Sequence, residues 1–231
     1  MPKDHDTRRR EIIATAQNLF FTRGYDAVPI ADIISAVGIA KGTFYHYFRS
    51  KDQLLEGIIE LYTERIIAQV EPIAADDTRS ARERVGDYFR QAFSIKAQSP
   101  EMLRLGLEQI YRPENTLMRV RMIDRSARIV APHLAQMIAD GNRQGEFSVP
   151  DPHSCADFVY RSFANISEEI AGHFLAPASA RVLQEETERL LDFMEWSFAR
   201  LLGIEGAPLC IADREDLRNM IAAFAAMEET A

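Results

Sequence analysis

A short run of hydrogen-bonding side chains near the start of the 231-residue chain could bind a nucleic acid. From Lys41 to Phe48 it reads Lys-Gly-Thr-Phe-Tyr-His-Tyr-Phe. Lysine can donate to guanine edges or to phosphate, threonine offers thymine a hydroxyl and a methyl group, and glycine lets the backbone come close. Tyrosine and histidine supply further hydrogen bonds, mostly to phosphate oxygens. The residue types therefore predict contacts to both the bases and the backbone.

Helical spacing sorts the same run into two faces. Phe44 and Phe48 are four residues apart, so they share one face of a helix, and we expect them to pack inward. The side chains that project elsewhere are Lys41, Thr43, Tyr45, His46 and Tyr47. The alternative is a tyrosine-rich surface helix that merely packs on a neighbour, but packing does not require Lys-Gly-Thr at a helix start.

The elements before and after this helix are predicted to hold it in place. Asp6 or Thr7 can cap a first helix that ends near Gly24, and a second helix begins at Pro29 and stops at Gly38. Three short helices with a glycine turn between the second and third describe a helix-turn-helix, whose third helix enters a DNA groove. The run from Ser50 to Gln53 is a capping box that begins a fourth helix, with Lys51 placed against the DNA backbone.

The charge distribution agrees with this role although the whole chain is acidic. The net charge is −8, yet residues 1–51 hold eight Lys and Arg against five Asp and Glu, so they carry +3 and the rest −11. A basic end suits a protein that approaches a polyanion with that end only, and phosphate contacts make such binding salt-dependent. Chance clustering of charges is the alternative.

The segment 38–55 resembles the signature of the TetR (tetracycline-repressor) family, and the resemblance covers about residues 7–57. In that family, the matching positions that face bases are Lys41, Gly42, Thr43 and Tyr45. Those that face phosphates are His46, Tyr47 and Lys51. The sequence departs from the family at Val28 and Pro29, where hydroxyl residues are usual, and at Ala31, where a basic residue is common. We expect those phosphate contacts to be missing and to be offset by an N-terminal arm that carries Arg8, Arg9 and Arg10.

The rest of the chain is also predicted to be helical, because almost every apolar stretch repeats at three and four residues rather than at two. We expect a fourth helix to about Val70, a fifth to about Gln98, helices starting at Pro100 and Pro113, and long ones at about 152–174 and 181–203. Pro132 predicts a kink or a break. A last amphipathic helix carries Leu217, Met220, Ile221 and Phe224. The predicted fold class is all-α, with a three-helix helix-turn-helix domain over 1–50 and a larger helical domain over 51–231.

Residues 58–231 carry no catalytic signature, since they lack a phosphate-cradling glycine loop, a nucleophile elbow and a zinc-protease pair. We therefore expect no enzyme, no cofactor and no metal site. Glu169 and His173 lie four apart on one helix face, where a surface salt bridge is favoured over a pair of metal ligands. Cys155 and Cys210 are too few for a disulfide framework, and we expect them to be small core residues.

The resemblance implies that the two long helices at about 152–174 and 181–203 pair with those of a second copy across a two-fold axis. Apolar stripes on both helices are compatible with this pairing. The candidate interface residues are Val159, Phe163, Ile166, Leu190, Met194, Phe198 and Leu201. The alternative is that both stripes face the subunit's own core. We favour a homodimer, because two helix-turn-helix domains on one palindrome share the cost of binding.

Methionines and aromatic residues in the middle helices could line an apolar cavity for a small molecule. The candidates are Phe89, Phe93, Met102, Leu107, Tyr111, Met118, Met122 and Phe163. Plain core packing is the alternative for each of them. A cluster of arginines between residues 112 and 128 could favour an anionic ligand, but a solvated helix face explains it better.

These observations predict a homodimeric, sequence-specific transcriptional regulator that binds a palindromic double-stranded DNA. The favoured form is a repressor that an unidentified small-molecule effector releases by changing the separation of the two DNA-binding domains. The alternatives are a ligand-independent repressor or activator and, in another class, a helical enzyme or ligand-carrying dimer that uses its N-terminal domain for protein contacts. The chain lacks both an apolar signal segment and an apolar run of about 20 residues, so we expect a cytoplasmic protein without a membrane partner.

Overall fold

The computed structural model describes residues 5–97, 107–108, 110–176, 179–207 and 209–228. Across these residues it contains helices and turns and no strand, which confirms the predicted all-α fold. The helices are α1 (His5–Arg23), α2 (Ile30–Val37), α3 (Lys41–Tyr47), α4 (Lys51–Ala75), α5 (Ala81–Ala97), α6 (Thr116–Gln144), α7 (Pro152–Leu175), α8 (Ala180–Leu202) and α9 (Arg214–Glu228). A single 3-10 turn at Pro113–Asn115 precedes α6.

The chain divides into two compact units. The first unit comprises Met1–Arg65 and Gln109–Arg125, and the second comprises Ile66–Glu108 and Ser126–Ala231. The helices α4 and α6 each contribute residues to both units. The domain boundary between residues 50 and 51 stays a prediction, but the first unit takes in residues from well beyond it.

One apolar core holds the first unit together. Ile12, Ala16 and Phe20 recur every fourth residue, so α1 turns them to one side, and all three are fully buried. The core is completed by Ile13, Tyr25, Val28, Ile33, Phe44, Phe48, Leu54, Leu55, Ile58, Ile59 and Met118. Because Met118 belongs to α6, the first unit is not made from consecutive residues alone.

In the second unit α7 and α8 pack along each other. Aromatic residues join them to α5: the Phe89 ring lies 5.0 Å from that of Phe163 and 5.4 Å from that of Phe198, between centroids. The last helix, α9, packs on α8 and α5. Its residues Leu217, Met220, Ile221 and Phe224 are buried, as the sequence predicted.

Two prolines lie inside helices that the sequence predicted would stop or break. The helix α6 is continuous through Pro132, so it does not break there, and the kink that was predicted as the other outcome stays a prediction. The residues around that proline, Val130, Ala131, Leu134 and Ala135, are all buried, and their packing offsets the backbone hydrogen bond that proline removes. The helix α4 likewise continues past Pro72 to Ala75.

Candidate nucleic-acid interface

The inner face of α3 is anchored in the core of the first unit. Phe44 and Phe48 are buried, and their ring centroids lie 6.1 Å apart. The turn that leads into α3 is closed by Gly38, whose N–H donates to the carbonyls of Ile34 at 3.0 Å and Ser35 at 3.2 Å. Its φ of +72° is a left-handed conformation that glycine adopts without strain. This turn fixes how α3 follows α2.

The outer face of α3 carries the predicted hydrogen-bonding residues. Those exposed to solvent are Lys41, Gly42, Thr43, Tyr45 and His46. Tyr45 is the largest of them, with 43% of its surface accessible. A helix of these residue types, held by two buried rings and open on its other side, has the form of a recognition helix.

His5, which the sequence did not single out, lies against the end of α3. Its ring centroid is 4.7 Å from that of Tyr47 and 5.7 Å from that of His46. Tyr47 is consequently only partly exposed. Nothing in the sequence indicates this contact, because His5 begins α1, about 40 residues before its partners.

The three arginines expected in an N-terminal arm lie within α1, so they do not belong to an arm that precedes the first helix. Arg8 pairs with Glu11 at 2.7 Å, and Arg9 pairs with Glu60 at 3.2 Å while its guanidinium lies 5.5 Å from the Phe48 ring centre. Arg10 is exposed. The helix extends to His5 because its first turns contain no helix breaker, and these ion pairs hold it.

Lys51 begins α4, and Ser50 Oγ accepts from the Gln53 N–H at 3.0 Å, as the capping box predicts. Gln53 Oε1 accepts from the Arg49 N–H at 2.6 Å, one residue before the predicted donor Ser50. The Lys51 ammonium lies 4.3 Å from the centre of the Tyr25 ring and donates to the Asp26 carbonyl at 3.4 Å. Partial burial lowers the pKa of Lys51. The side chain is therefore docked on the α1–α2 turn rather than extended into solvent.

Tyr25 and Asp52 connect that turn to α6. The Tyr25 hydroxyl donates to Asp52 Oδ1 at 2.8 Å, and Arg121 Nη1 donates to the same oxygen at 2.6 Å. Hydrogen bonds from Arg121 and then Tyr25 lower the pKa of Asp52. Burial, followed by the bond to Asp52, raises the pKa of Tyr25.

The residues just before α6 also hold the α1–α2 turn. Asn115 is fully buried, and its Oδ1 accepts from the Tyr25 N–H at 3.1 Å. Arg112 Nη1 donates to the Thr22 carbonyl at 2.9 Å, and a side chain at Gly24 would meet the Cβ of Glu114 at 2.8 Å. The sequence does not reveal the role of these residues, because no local pattern links positions some 90 residues apart.

Most of the predicted interface residues on α7 and α8 are buried within the second unit. Val159, Phe163, Leu190, Met194 and Phe198 form its core, Ile166 is half-buried, and only Leu201 is exposed. Both helices turn these stripes towards each other and α5, so the stripes face the subunit's own core.

Other apolar side chains of the same two helices are exposed. Phe193 and Trp196 of α8 have 60% and 56% of their surface accessible, and their rings stack with centroids 6.2 Å apart. Phe158 on α7 and Val182 on α8 are also exposed. Positions 182, 189, 193, 196 and 200 repeat at helical spacing, so this is a second face of α8.

The structure does not bring the predicted cavity residues together in one unit. Met118, Met122 and Tyr111 belong to the first unit, where the two methionines pack in or against the core, whereas Phe89, Leu107 and Phe163 belong to the second. The division follows from α6, whose first ten residues belong to the first unit. Met102 and the side chain of Phe93 lie outside the described residues.

Within the part of the chain that is described, no three His, Cys, Asp or Glu side chains are grouped closely enough to hold a metal ion. No described helix combines the length and the apolar character needed to cross a membrane. An open depression on α7 is lined by polar residues, among them His153, Asp157 and Arg161, beside Phe158.

Sequence comparisons identify the N-terminal part of the chain. Residues 12–58 match the model of the bacterial regulatory proteins of the tetR family. Over 92 residues the chain is 29% identical to the HTH-type transcriptional repressor KstR2 of Mycolicibacterium smegmatis, covering 40% of this chain and 44% of that protein. Over 143 residues it is 27% identical to the HTH-type transcriptional repressor NemR of Escherichia coli, covering 60% and 70%. The chain thus spans less than half of KstR2.

Solved structures extend the likeness of the fold to most of the chain. The reduced form of E. coli NemR superposes with a TM-score of 0.56 and 21% identity over 87% of this chain and 97% of NemR. RolR in complex with resorcinol gives a TM-score of 0.55 and 19% identity over 94% of each chain. With the helix-turn-helix geometry and the matched residues 12–58, the N-terminal part of the chain is a DNA-binding domain like those of the bacterial regulatory proteins of the tetR family.

Proposed function

We propose that this protein is a homodimeric transcriptional repressor that binds a palindromic operator and is released from it by a small-molecule effector. The observation that carries the proposal is the two-sided α3, which buries Phe44 and Phe48 and exposes Lys41, Thr43 and Tyr45. Such a helix can enter a major groove without disturbing the domain that holds it.

The roles of the individual residues follow from their exposure and chemistry. Lys41, Thr43 and Tyr45 are proposed to contact base edges, with Gly42 letting the backbone approach. His46, Tyr47 and Lys51 are proposed to contact phosphates, which set the position of the domain on the duplex. Of the N-terminal arginines, Arg10 is the strongest candidate for a further phosphate contact, since Arg8 and Arg9 are ion-paired.

The dimer is supported by the exposed face of α8. A stacked Phe193 and Trp196, both more than half exposed, give an apolar surface of the kind that forms the centre of protein interfaces. Arg189, paired with Glu186 at 2.7 Å, lies on the same helix at the rim of this face. We propose this face, together with Phe158 and Leu201, as the interface in place of the buried stripe.

Release by an effector is supported by the likeness to RolR, whose solved complex holds resorcinol. In the second unit the hydroxyls of Ser126, Ser167 and Thr187 are buried and have no hydrogen-bond partner among the described residues. Because an unpaired buried hydroxyl is costly, a ligand whose polar group reaches any one of these hydroxyls would gain a hydrogen bond. Resorcinol as a probe should raise the Tm of the wild type more than that of Thr187→Val, which keeps the side-chain shape without the hydroxyl.

DNA binding is tested by selecting fragments of the source genome with the full-length protein and titrating the selected fragment at increasing salt. We expect log K to fall linearly with log salt, with a slope of roughly −0.9 for each phosphate contacted. Lys41→Ala should weaken binding by about tenfold, the order of one lost lysine contact to a base or phosphate. The matched control is Arg218→Ala, which removes an exposed cation from the second unit. A wild type that selects no fragment would contradict the proposal.

A further inference from the structure

Tyr25 is held on every side by residues from different parts of the first unit. Its backbone N–H donates to Asn115 at 3.1 Å and its hydroxyl donates to Asp52 at 2.8 Å. Phe20 packs edge-on against its ring at 5.0 Å between centroids, and the Lys51 ammonium lies over the ring at 4.3 Å. The orientation of this one ring therefore determines where the Lys51 ammonium can rest.

The carboxylate of Asp52 links the Tyr25 ring to Arg121 of α6. Its Oδ1 accepts from both the Tyr25 hydroxyl and Arg121 Nη1, at 2.8 Å and 2.6 Å. The guanidinium charge fixes the carboxylate, and the carboxylate then fixes the phenol. Arg121 thus reaches Tyr25 through one shared oxygen although it lies 96 positions further along the chain.

Lys51 retains the capacity to bind a phosphate in this arrangement. An ammonium carries three N–H donors, and the Asp26 carbonyl takes one of them at 3.4 Å. An ammonium already held against an aromatic face loses less side-chain entropy when it binds an anion than a lysine that is free in solvent. Disturbing Tyr25 would remove that preorganisation.

We propose that Asp52 and Arg121 are positioning residues for DNA binding, which through Tyr25 hold Lys51 where it meets a phosphate. The inference rests on the proposed function and adds two positioning residues to it. The ion pair joins the first turns of α6 to the DNA-binding surface within the first unit, so loss of the pair weakens DNA binding without changing α3.

Two explanations of the role of Asp52 predict opposite changes in DNA affinity when its charge is removed. If Asp52 acted only through its charge, Asp52→Asn would tighten DNA binding, because it removes a negative charge from a basic domain. If it positions Lys51, the same substitution weakens binding. The effect on folding is small in either case, since the Asp52 and Arg121 side chains are 66% and 36% exposed and an exposed ion pair contributes little to stability.

The experiment measures the affinity and salt slope of full-length Asp52→Asn, Arg121→Gln and the double variant on a fragment selected by the wild type, with thermal melts as the check on folding. We expect each single variant to weaken binding by about fivefold and to reduce the salt slope by about one, and the double variant to be no worse than either. Arg121→Lys, which keeps a cation and a donor, should restore most of the affinity.

Asp32→Asn is the matched control, because Asp32 forms a comparable ion pair in the first unit, with Arg23 at 2.6 Å. This variant should bind DNA as tightly as the wild type or more tightly. If Asp52→Asn behaves like Asp32→Asn, or if the two single effects add in the double variant, the inference is overturned while the proposed function stands. A wild type that selects no DNA overturns both.

Discussion

Adjacent residues of α3 have opposite surroundings. Phe44 is fully buried among core side chains, whereas Tyr45 has 43% of its surface accessible, and their rings meet edge to face at 5.4 Å. The buried ring stabilises the domain, and the exposed ring is free to meet a ligand. A single helix can therefore separate folding from recognition at neighbouring positions.

This contrast predicts different outcomes for two alanine substitutions. Tyr45→Ala should weaken operator binding by roughly ten- to a hundredfold, which corresponds to about 1–3 kcal/mol, and should change the free energy of unfolding by about 0.5 kcal/mol or less. Phe44→Ala should cost about 3–5 kcal/mol of stability, because it leaves a cavity in the core. Gel shifts and thermal melts of both variants distinguish the two effects. Unaltered affinity in Tyr45→Ala would remove that residue from the site.

At the residue scale, the sequence predicts features that depend on neighbouring positions, such as side-chain orientation and helix capping. The sides taken by Phe44 and Phe48 and the capping box at Ser50 follow from positions three and four residues apart. The docking of Lys51 on Tyr25 and the burial of Asn115 depend on partners distant in sequence, so no local pattern reveals them.

At the scale of elements, a buried ion pair ties together α4, α5 and α6 in the second unit. Arg84 is almost fully buried, and its guanidinium donates to Asp140 at 2.9 Å and to the Ala74 carbonyl at 2.7 Å. Burial alone would raise the pKa of Asp140, but hydrogen bonds from Arg84 and Gln136 lower it overall. The pair is therefore ionised at neutral pH.

Asp140→Asn should destabilise the protein by about 2–4 kcal/mol at neutral pH, because it leaves the Arg84 charge buried without a counter-ion. A carboxyl whose pKa is lowered on folding contributes stability above its unfolded pKa and loses it as the pH falls through the folded one. The difference between variant and wild type should therefore shrink below about pH 4, in denaturant titrations at several pH values.

The matched control is Asp157→Asn, which breaks an exposed pair with Arg161 on α7 and should cost about 0.5 kcal/mol or less. An Asp140 variant as stable as this control at pH 7 would show that the buried pair does not hold the three helices together.

The boundaries of most helices could be predicted to within a few residues, because caps and prolines mark them. The exceptions are α6 and α4, which run through Pro132 and Pro72. Tertiary packing decides whether a proline ends a helix, and packing is not visible in a local sequence pattern. For the same reason Met118 was expected in a cavity and lies instead in the core of the first unit.

At the scale of the whole molecule, the proposed dimer explains why α8 has an exposed apolar face. The sequence predicted that apolar stripes of α7 and α8 meet a second copy, but one stripe on each helix already fills the core of the second unit. The residues left outside, above all Phe193 and Trp196, are the ones available to a partner. Sequence periodicity identified only the stripe of α8 that contains Leu190 and Met194, and it could not say whether that stripe faces a partner or the subunit's own core.

Replacing Phe193 and Trp196 together by glutamate should convert the dimer to a monomer, because a charged group in the centre of an interface loses its hydration without gaining a partner. Sedimentation at micromolar concentration should show at least a thirtyfold weaker association, the equivalent of about 2 kcal/mol, with helical content unchanged. Leu117→Glu, at an exposed apolar position of the first unit, is the control and should leave the oligomeric state as it is. A monomeric wild type would contradict the proposed dimer.

The central claim is that each subunit of the dimer inserts its α3 into the major groove of the operator. Hydroxyl-radical footprinting of the full-length protein on its selected fragment tests it most directly. We predict two protected patches separated by one helical turn, about 10 base pairs, or a multiple of it, and both lost in Tyr45→Ala. A footprint with one patch, or one that Tyr45→Ala leaves unchanged, would contradict the account.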